Sequence, residues 1–350
     1  MRFCLNVQAL VGSITGIERY TYEVLSALDA CLSTGSHAGI EVEAIYPQGM
    51  QPNLPSLSTI APVEVNGWKG GKDYLALRRY LKKRDAYYVN FSGGLAVQRK
   101  SIVVFYDLRP HTHPEYDLRS TRARFGLSLA TTRALGCNVV TISEFSRKEL
   151  LEAGIDDKRI TLASCGWEHM RDVKSDASVF GEHPELVADE YYYVLGSLAP
   201  HKNLDWVIGV ARANPRCTIA LAGKLWEGNG APQDLPPNVR YLGYVSDEQS
   251  RALMGSCKAF LHPATYEGFG LPPLEAIVCG KRVLAARGTA VEGVYGDALR
   301  YFDAHDYAVD LDSLANFEPS AAAYADLLAR YTWRASATAW LTLMAYLSQV

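Results

Sequence analysis

Short runs of β-branched and aromatic residues alternate with helix-like patterns along most of this chain, and that alternation most restricts its fold. Strands separated by helices pair in parallel and take helices on both faces, which is α/β architecture. The pattern opens with a strand near 3–7, a loop holding Gly12 and Gly16, and a helix with apolar Ile17, Tyr20, Val24, Leu25 and Leu28. Thr15 and Glu18 have the spacing of a capping box that would start this helix. Further strands are expected at 41–46, 87–91, 102–106 and 138–142. From 172 to 190 the chain is polar and aperiodic, which reads as a linker. Alternation then resumes with strands at 191–195, 217–222, 259–262 and 282–285. Helices are expected at 203–213, 247–255 (capped by Ser246 and Gln249) and 272–278. Segment 321–347 reads as one or two helices with a break at 331–333. The 350 residues allow two domains of ordinary size, so the expectation is two doubly wound domains in tandem.

Composition narrows the classes of function. Net charge is −3, with 48% hydrophobic and 21% charged residues, which argues against a chain built to coat nucleic acid. The seven cysteines are scattered and never form C-x-x-C, which predicts reduced, buried thiols rather than a disulfide framework or a zinc site. The N-terminal apolar run is too short for a signal peptide, and no stretch approaches the about 18 apolar residues of a membrane span. A cytoplasmic protein is expected, one able to touch a membrane from outside.

The most informative stretch is Tyr266-Glu267-Gly268-Phe269-Gly270-Leu271-Pro272-Pro273-Leu274-Glu275-Ala276. It follows a strand and opens a helix, the place where open α/β sheets bind ligands. Gly268 and Gly270 permit a tight turn and close approach, prolines suit a first helical turn, and the helix N-terminus favours an anion. Two glutamates eight residues apart flank this turn.

That E-x7-E pattern resembles the donor-site motif of the retaining glycosyltransferases of the GT-B fold, the large GT4 family. Gly196-Ser197-Leu198-Ala199-Pro200-His201-Lys202-Asn203-Leu204 and Asn238-Val239-Arg240-Tyr241-Leu242-Gly243-Tyr244-Val245-Ser246 are similar to its second-domain blocks. Thr141-Ile142-Ser143-Glu144-Phe145-Ser146 and Gly16-Ile17-Glu18-Arg19-Tyr20-Thr21 are similar to its first-domain blocks. Together they most resemble bacterial mannosyltransferases that build lipopolysaccharide O-chains. The resemblance implies two Rossmann-like domains facing a central cleft: 1–171 on the acceptor side, a linker at 172–190, and 191–330 for the nucleotide sugar. Residues 331–350 would form a helix returning to the first domain.

Roles are also implied. Glu275 would accept hydrogen bonds from the ribose, Glu267 would bind hydroxyls of the transferred sugar, and the amides of Phe269, Gly270 and Leu271 would meet sugar and diphosphate. Lys202 would neutralise the diphosphate, Ser197 and His201 would join in binding the donor, although His201 in place of an arginine would weaken the charge compensation, and Gly12 would let the first domain close on the phosphates. The implied reaction is metal-independent transfer of a hexose with retention, best matched by mannose from GDP-mannose, to a glycan or lipid-linked glycan. No metal or cofactor is expected. Each residue also has a plainer reading: Glu275 as a first-turn glutamate, Glu267 as a solvated charge, Lys202 as a surface lysine and Gly12 as a turn glycine.

The chain departs from its relatives in places. They usually carry His-Asp where this chain has Tyr106-Asp107; Tyr106 is expected to line the sugar side, and acid–base roles there are in doubt. His111 and His113 follow closely and are candidates for an acceptor pocket. His201 replaces an arginine, and Arg282 a proline. A UDP- or dTDP-sugar donor, or a catalytically weak nucleotide-sugar-binding subunit, are the alternatives. Asp310-Leu311-Asp312 has the letters of a metal-binding Asp-x-Asp but lies late in the chain and reads as capping and surface. Gly67–Asp73 lacks P-loop spacing. Finally, Lys69, Lys72, Arg78, Arg79, Lys82, Lys83, Arg84, Arg99 and Lys100 crowd one stretch, interleaved with Tyr74, Leu75, Leu77, Tyr80 and Leu81. This predicts either an amphipathic helix on an anionic membrane or a solvated helix with its apolar face inward.

Overall fold

A computed structural model describes the chain except residues 13, 15, 36, 38, 71, 72, 227–231, 233 and 350. The cap expected from Thr15, and Lys72 of the basic stretch, lie outside the described residues. The chain divides into two compact units, Met1–Gly166 with Tyr331–Val350, and Trp167–Arg330.

In the first unit seven strands form one parallel sheet. They are β1 (Arg2–Asn6), β2 (Glu41–Pro47), β3 (Ala61–Val65), β4 (Tyr87–Asn90), β5 (Ser101–Val104), β6 (Asn138–Thr141) and β7 (Ile160–Leu162), in the order β3-β2-β1-β4-β5-β6-β7. The central strands are buried on both faces, so they read as continuous apolar runs rather than alternating ones. The edge strands β3 and β7 have little buried surface, which is why residue pattern did not mark them. Helix Gly16–Ser33 buries Tyr20, Val24, Leu25, Leu28 and Leu32. Helix Trp333–Gln349 packs along it, burying Trp333, Trp340, Leu341 and Met344. Trp340 Nε1 donates to the Tyr20 hydroxyl at 3.1 Å, and Tyr20 donates to the Ala163 carbonyl at 2.8 Å.

Asp29 of helix Gly16–Ser33 ties down the loop before β3. Its carboxylate accepts from the amides of Ser58, Thr59 and Ile60 and from the Ser58 hydroxyl, at 2.7–2.8 Å. Helix Tyr74–Arg84 turns Leu77 and Leu81 into the core and leaves Arg78, Arg79, Lys82, Lys83 and Leu75 exposed. The apolar face is thus largely used internally, and the basic side chains point out. Arg84 is held over the Tyr80 ring, 3.8 Å from its centroid.

In the second unit six parallel strands follow the order β10-β9-β8-β11-β12-β13. These are β8 (Tyr191–Leu195), β9 (Thr218–Ala222), β10 (Val239–Gly243), β11 (Ala259–His262), β12 (Arg282–Ala286) and β13 (Arg300–Phe302). Order reverses between β8 and β11, the switch point of a Rossmann sheet. Ser246 and Gln249 form a complete capping box on helix Asp247–Ser256.

Segment 172–190 is not a free linker. It contributes to helices His169–Asp172 and Val179–Glu182, buries Val179 and Leu186, and donates from the Asp176 and Asp189 amides to the Glu248 and Ser256 carbonyls. It lies within the second unit, which begins at Trp167. Two isolated buried apolar residues and main-chain bonds to distant segments leave no periodicity to read.

Candidate functional site

At the carboxyl end of β8 the chain turns at Gly196 and Ser197. The Gly196 amide donates to the Ala222 carbonyl at 3.0 Å, and the Leu198 amide to Lys224 at 2.9 Å. A Cβ on Gly223 would lie 1.7 Å from the Gly196 carbonyl oxygen, so glycine is required where the two strand ends meet. The 3-10 turn Pro200–Lys202 ends at Asn203, which is left-handed at φ 60°. Asn203 caps helix Leu204–Ala213 through the Trp206 amide and donates to the Pro263 and Ala304 carbonyls at 3.2 and 3.0 Å. Lys202 is therefore set on a turn pinned to the end of β11.

The loop after β11 is stitched to that turn. The Thr265 amide donates to the His201 carbonyl at 2.8 Å, and its hydroxyl does so at 3.2 Å. Gly270, at φ +84°, begins helix Leu271–Val278 with no side-chain cap. A Cβ there would stand 2.8 Å from Val291 Cγ2. The Tyr295 hydroxyl donates to the Gly270 carbonyl at 2.6 Å and fixes the turn. Because Pro272 and Pro273 lack N–H groups, the donors at this helix start are the amides up to Leu271.

Here the expected charges converge. Lys202 Nζ donates to Glu267 Oε1 at 2.5 Å, and His262 Nε2 lies 3.2 Å from the same oxygen without a hydrogen-bond alignment. Burial alone would raise the Glu267 pKa. Lys202, and then His262, overcome this and hold the carboxyl well below the usual carboxylate range. A recess of about 340 Å³, counted with its open mouth, is lined by Gly196, Ser197, Lys202, His262 and Ala264 among others.

Glu275 sits in the second turn of helix Leu271–Val278, beyond the first turn where a helix dipole acts most strongly. The reading of it as a first-turn residue is corrected accordingly. Its Oε1 is 3.0 Å from His169 Nε2, whose side chain is 3% exposed. His201 is 6% exposed, so its imidazole is set inside the unit and its carbonyl does the visible work. Phe269 is also buried, its ring edge-on to Tyr295 at 6.1 Å.

In the first unit Gly12 is exposed at φ +85°, and its carbonyl accepts from Asn53 Nδ2 at 3.1 Å. Asp107 caps its own turn, with Oδ1 accepting from the Arg109 amide at 3.0 Å. Tyr106 follows the end of β5. Its ring stands edge-on to Tyr20 at 5.2 Å, and its hydroxyl is buried with no hydrogen-bond partner among the described residues. Burial, with Tyr20 nearby, pushes the phenol well above its ordinary pKa. The residue is part-exposed, while its hydroxyl is shielded from solvent. His111 is exposed, and His113 pairs with Glu115 at 3.2 Å. Asp310 caps helix Leu311–Ala315, and Asp312 pairs with Lys258 at 2.6 Å. Among the described residues no group of three or more His, Cys, Asp or Glu is placed to hold a metal ion.

His262 and His169 escaped sequence reasoning. His262, a polar residue at the carboxyl end of a buried strand just before the motif, carried a usable signal. His169, 106 positions from Glu275, carried none.

Residues 179–305 match the family model for glycosyl transferases group 1. Among curated relatives, O-antigen chain mannosyltransferase B of Escherichia coli is 28% identical over 221 residues, covering 59% of this chain and 58% of that protein. O-antigen chain mannosyltransferase RfbU of Salmonella typhimurium is 23% identical over 330 residues, covering 90% of each. Among solved structures, sucrose-phosphate synthase from Thermosynechococcus elongatus aligns with a TM-score of 0.70 at 16% identity, covering 99% of this chain and 98% of that one. The fold is that of GT-B glycosyltransferases, two parallel-sheet α/β domains.

Proposed function

We propose that this chain, which carries a glycosyl transferases group 1 domain and is similar to O-antigen mannosyltransferases, transfers mannose from GDP-mannose to a glycan or lipid-linked glycan with retention of configuration. The observation that carries the reading is the pinned arrangement of Lys202 and Glu267 at the β8/β11 switch point, with Glu275 on the helix that follows. Glu275, steadied by His169, accepts from the ribose hydroxyls. Glu267 accepts from hydroxyls of the sugar. The Gly270 and Leu271 amides and Lys202 meet the diphosphate, whose charge grows as it leaves. An ammonium and main-chain donors in that position serve the leaving diphosphate in place of a metal ion. Protein groups here position the donor and stabilise the leaving group rather than form a carboxylate pair of glycosidase type.

The test is side-by-side thermal shift with GDP, UDP, dTDP and ADP, followed by transfer from the matching nucleotide sugar. GDP should stabilise most. Lys202→Ala should lower turnover about a hundredfold at saturating donor, the loss of roughly 3 kcal/mol expected for one donor to a developing anion. No stabilisation by any nucleotide, or unchanged turnover, would sink the reading. Preference for UDP or dTDP would change the donor alone.

A second reading is a nucleotide-sugar-binding subunit with weak chemistry. The buried Tyr106 hydroxyl, at a position where the sequence resemblance implies histidine, favours it. Donor hydrolysis and transfer at saturating donor separate the two. We also place the protein on the cytoplasmic membrane face, supported by the exposed Arg78, Arg79, Lys82 and Lys83. Among the described residues no helix is long and apolar enough to cross a membrane.

A further inference from the structure

Helix Arg119–Leu135 of the first unit carries apolar residues on two opposite sides. Phe125, Leu129 and Leu135 pack into the core, with Ser128 and Thr132 buried beside them. On the other side Ala123, Leu127, Ala130 and Ala134 are all exposed. Their spacing of i, i+4, i+7 and i+11 makes one straight stripe about 17 Å long. Leu127 is 53% exposed, and Leu118, which caps the helix start, 65%. Exposed Arg119 and Arg122 flank the stripe on one side and Arg124 on the other. From Asp117, held by Arg109 at 3.0 Å, to Glu144 the sequence has no acidic residue.

This helix shares one face of the sheet with the basic helix Tyr74–Arg84. Tyr88 of β4 packs in one cluster with Leu77 and Leu81, and Val103 of β5 in another with Leu129. The register pairs Tyr88 with Ser101, two residues before Val103. Side chains two apart on a strand point the same way, so the two helices lie on the same side of neighbouring strands. Their nearness shows at Tyr74, where burial raises the phenol pKa and the Arg124 charge pulls against it. One helix has five basic residues and the other four, neither has an acidic one, and the whole chain is net −3. Positive charge is therefore gathered on this face.

We propose that helix Arg119–Leu135 lays its Ala123, Leu127, Ala130 and Ala134 stripe, with Leu118, into an anionic phospholipid leaflet, its flanking arginines on the headgroups. The inference rests on the placement of this protein at a membrane and goes beyond it. Attraction by helix Tyr74–Arg84 is electrostatic, whereas the stripe buries apolar area and sets a depth. A helix lying in the interface sinks its apolar face about 5–10 Å into the headgroup and acyl boundary. Long arginine stems then cover apolar surface and keep the guanidinium groups at phosphate level. Alanines make the stripe shallow, so Leu118 and Leu127 are the groups that protrude. A second copy of the chain suits the stripe less well. A two-fold contact would set the same arginines against one another, with no acidic residue on either helix to pair them.

The test uses the full chain with vesicles of phosphatidylcholine alone and of phosphatidylcholine mixed with phosphatidylglycerol. A triple variant, Ala123→Ser, Leu127→Ser and Ala130→Ser, keeps every charge. It should bind mixed vesicles about tenfold more weakly than wild type, with the salt dependence unchanged. All three sites are exposed, so its urea midpoint should match wild type. Leu127→Trp should add fluorescence that brominated acyl chains quench, above the wild-type background. Wild-type affinity in the triple variant, or no added quenching in Leu127→Trp, would overturn the inference and leave a purely electrostatic contact through helix Tyr74–Arg84. A wild type that sediments as a dimer without lipid, and a triple variant that does not, would give the stripe to a second copy and overturn it too. No binding of wild type to mixed vesicles would remove both the insertion and the membrane placement.

Discussion

His169 Nε2 stands 3.0 Å from Oε1 of Glu275, joining the first helix of the second unit to the helix opened by the glycine turn. The contact is nearly closed to solvent on the histidine side, with 3% exposure, and the glutamate is 15% exposed. On the proposed reading, the other oxygen of Glu275 accepts from the nucleotide. The arrangement therefore has consequences for nucleotide affinity.

Glu275→Ala should weaken nucleotide binding about 10- to 100-fold, the loss of hydrogen bonds to a charged acceptor worth roughly 1.5–3 kcal/mol. His169→Ala should weaken it less, because the carboxylate remains but is no longer held. Fluorescence or calorimetric titration decides the order; a larger loss in His169→Ala would mean that His169 itself meets the nucleotide.

Tyr106→Phe removes a buried hydroxyl that has no hydrogen-bond partner among the described residues. Stability should be unchanged or rise by about 1 kcal/mol, because an unsatisfied buried polar group carries a desolvation cost. Transfer should stay near wild type. A tenfold fall in turnover with intact nucleotide binding would restore the hydroxyl to the reaction.

Asp29→Asn should destabilise the first unit by about 2 kcal/mol at neutral pH, because an amide cannot accept all four hydrogen bonds. Burial works to raise the Asp29 pKa, but the amides of Ile60, Ser58 and Thr59 prevail and hold it low. A depressed carboxyl contributes fully above its unfolded value, about 3.9, and loses that contribution as pH falls through the folded value. The gap between wild type and Asp29→Asn, read from urea unfolding across pH, should therefore narrow below about pH 4. A constant gap would assign the effect to packing.

Liposome sedimentation tests the basic helix. Binding should require anionic lipid, fall with salt, and drop when Arg78, Arg79, Lys82 and Lys83 become glutamate, at about 1 kcal/mol for each cation near the surface. Leu77 and Leu81 face the core, so attraction here is electrostatic, with Leu75 as the exposed apolar contact. Equal binding to neutral vesicles, or none to anionic ones, would leave no membrane role for this face.

What residue order settled by itself was local and repetitive. Buried parallel strands such as β4, β6, β8 and β11 are near-continuous apolar runs, and each is followed by glycine, proline or capping residues. Their existence and the α/β class therefore follow from short-range chemistry. The Glu267–Glu275 spacing and the glycine turn between them are equally local, as is the Ser246–Gln249 cap. Tertiary structure decided what depends on distant partners. It folded 172–190 into the second unit through main-chain bonds to Glu248 and Ser256. It set Lys202 and His262 on one oxygen of Glu267, brought His169 to Glu275, and turned the Tyr106 hydroxyl inward against Tyr20. A side chain's partner across 60 or 100 residues is fixed by which strand ends the sheet brings together, and the sheet order is itself a property of the packed chain.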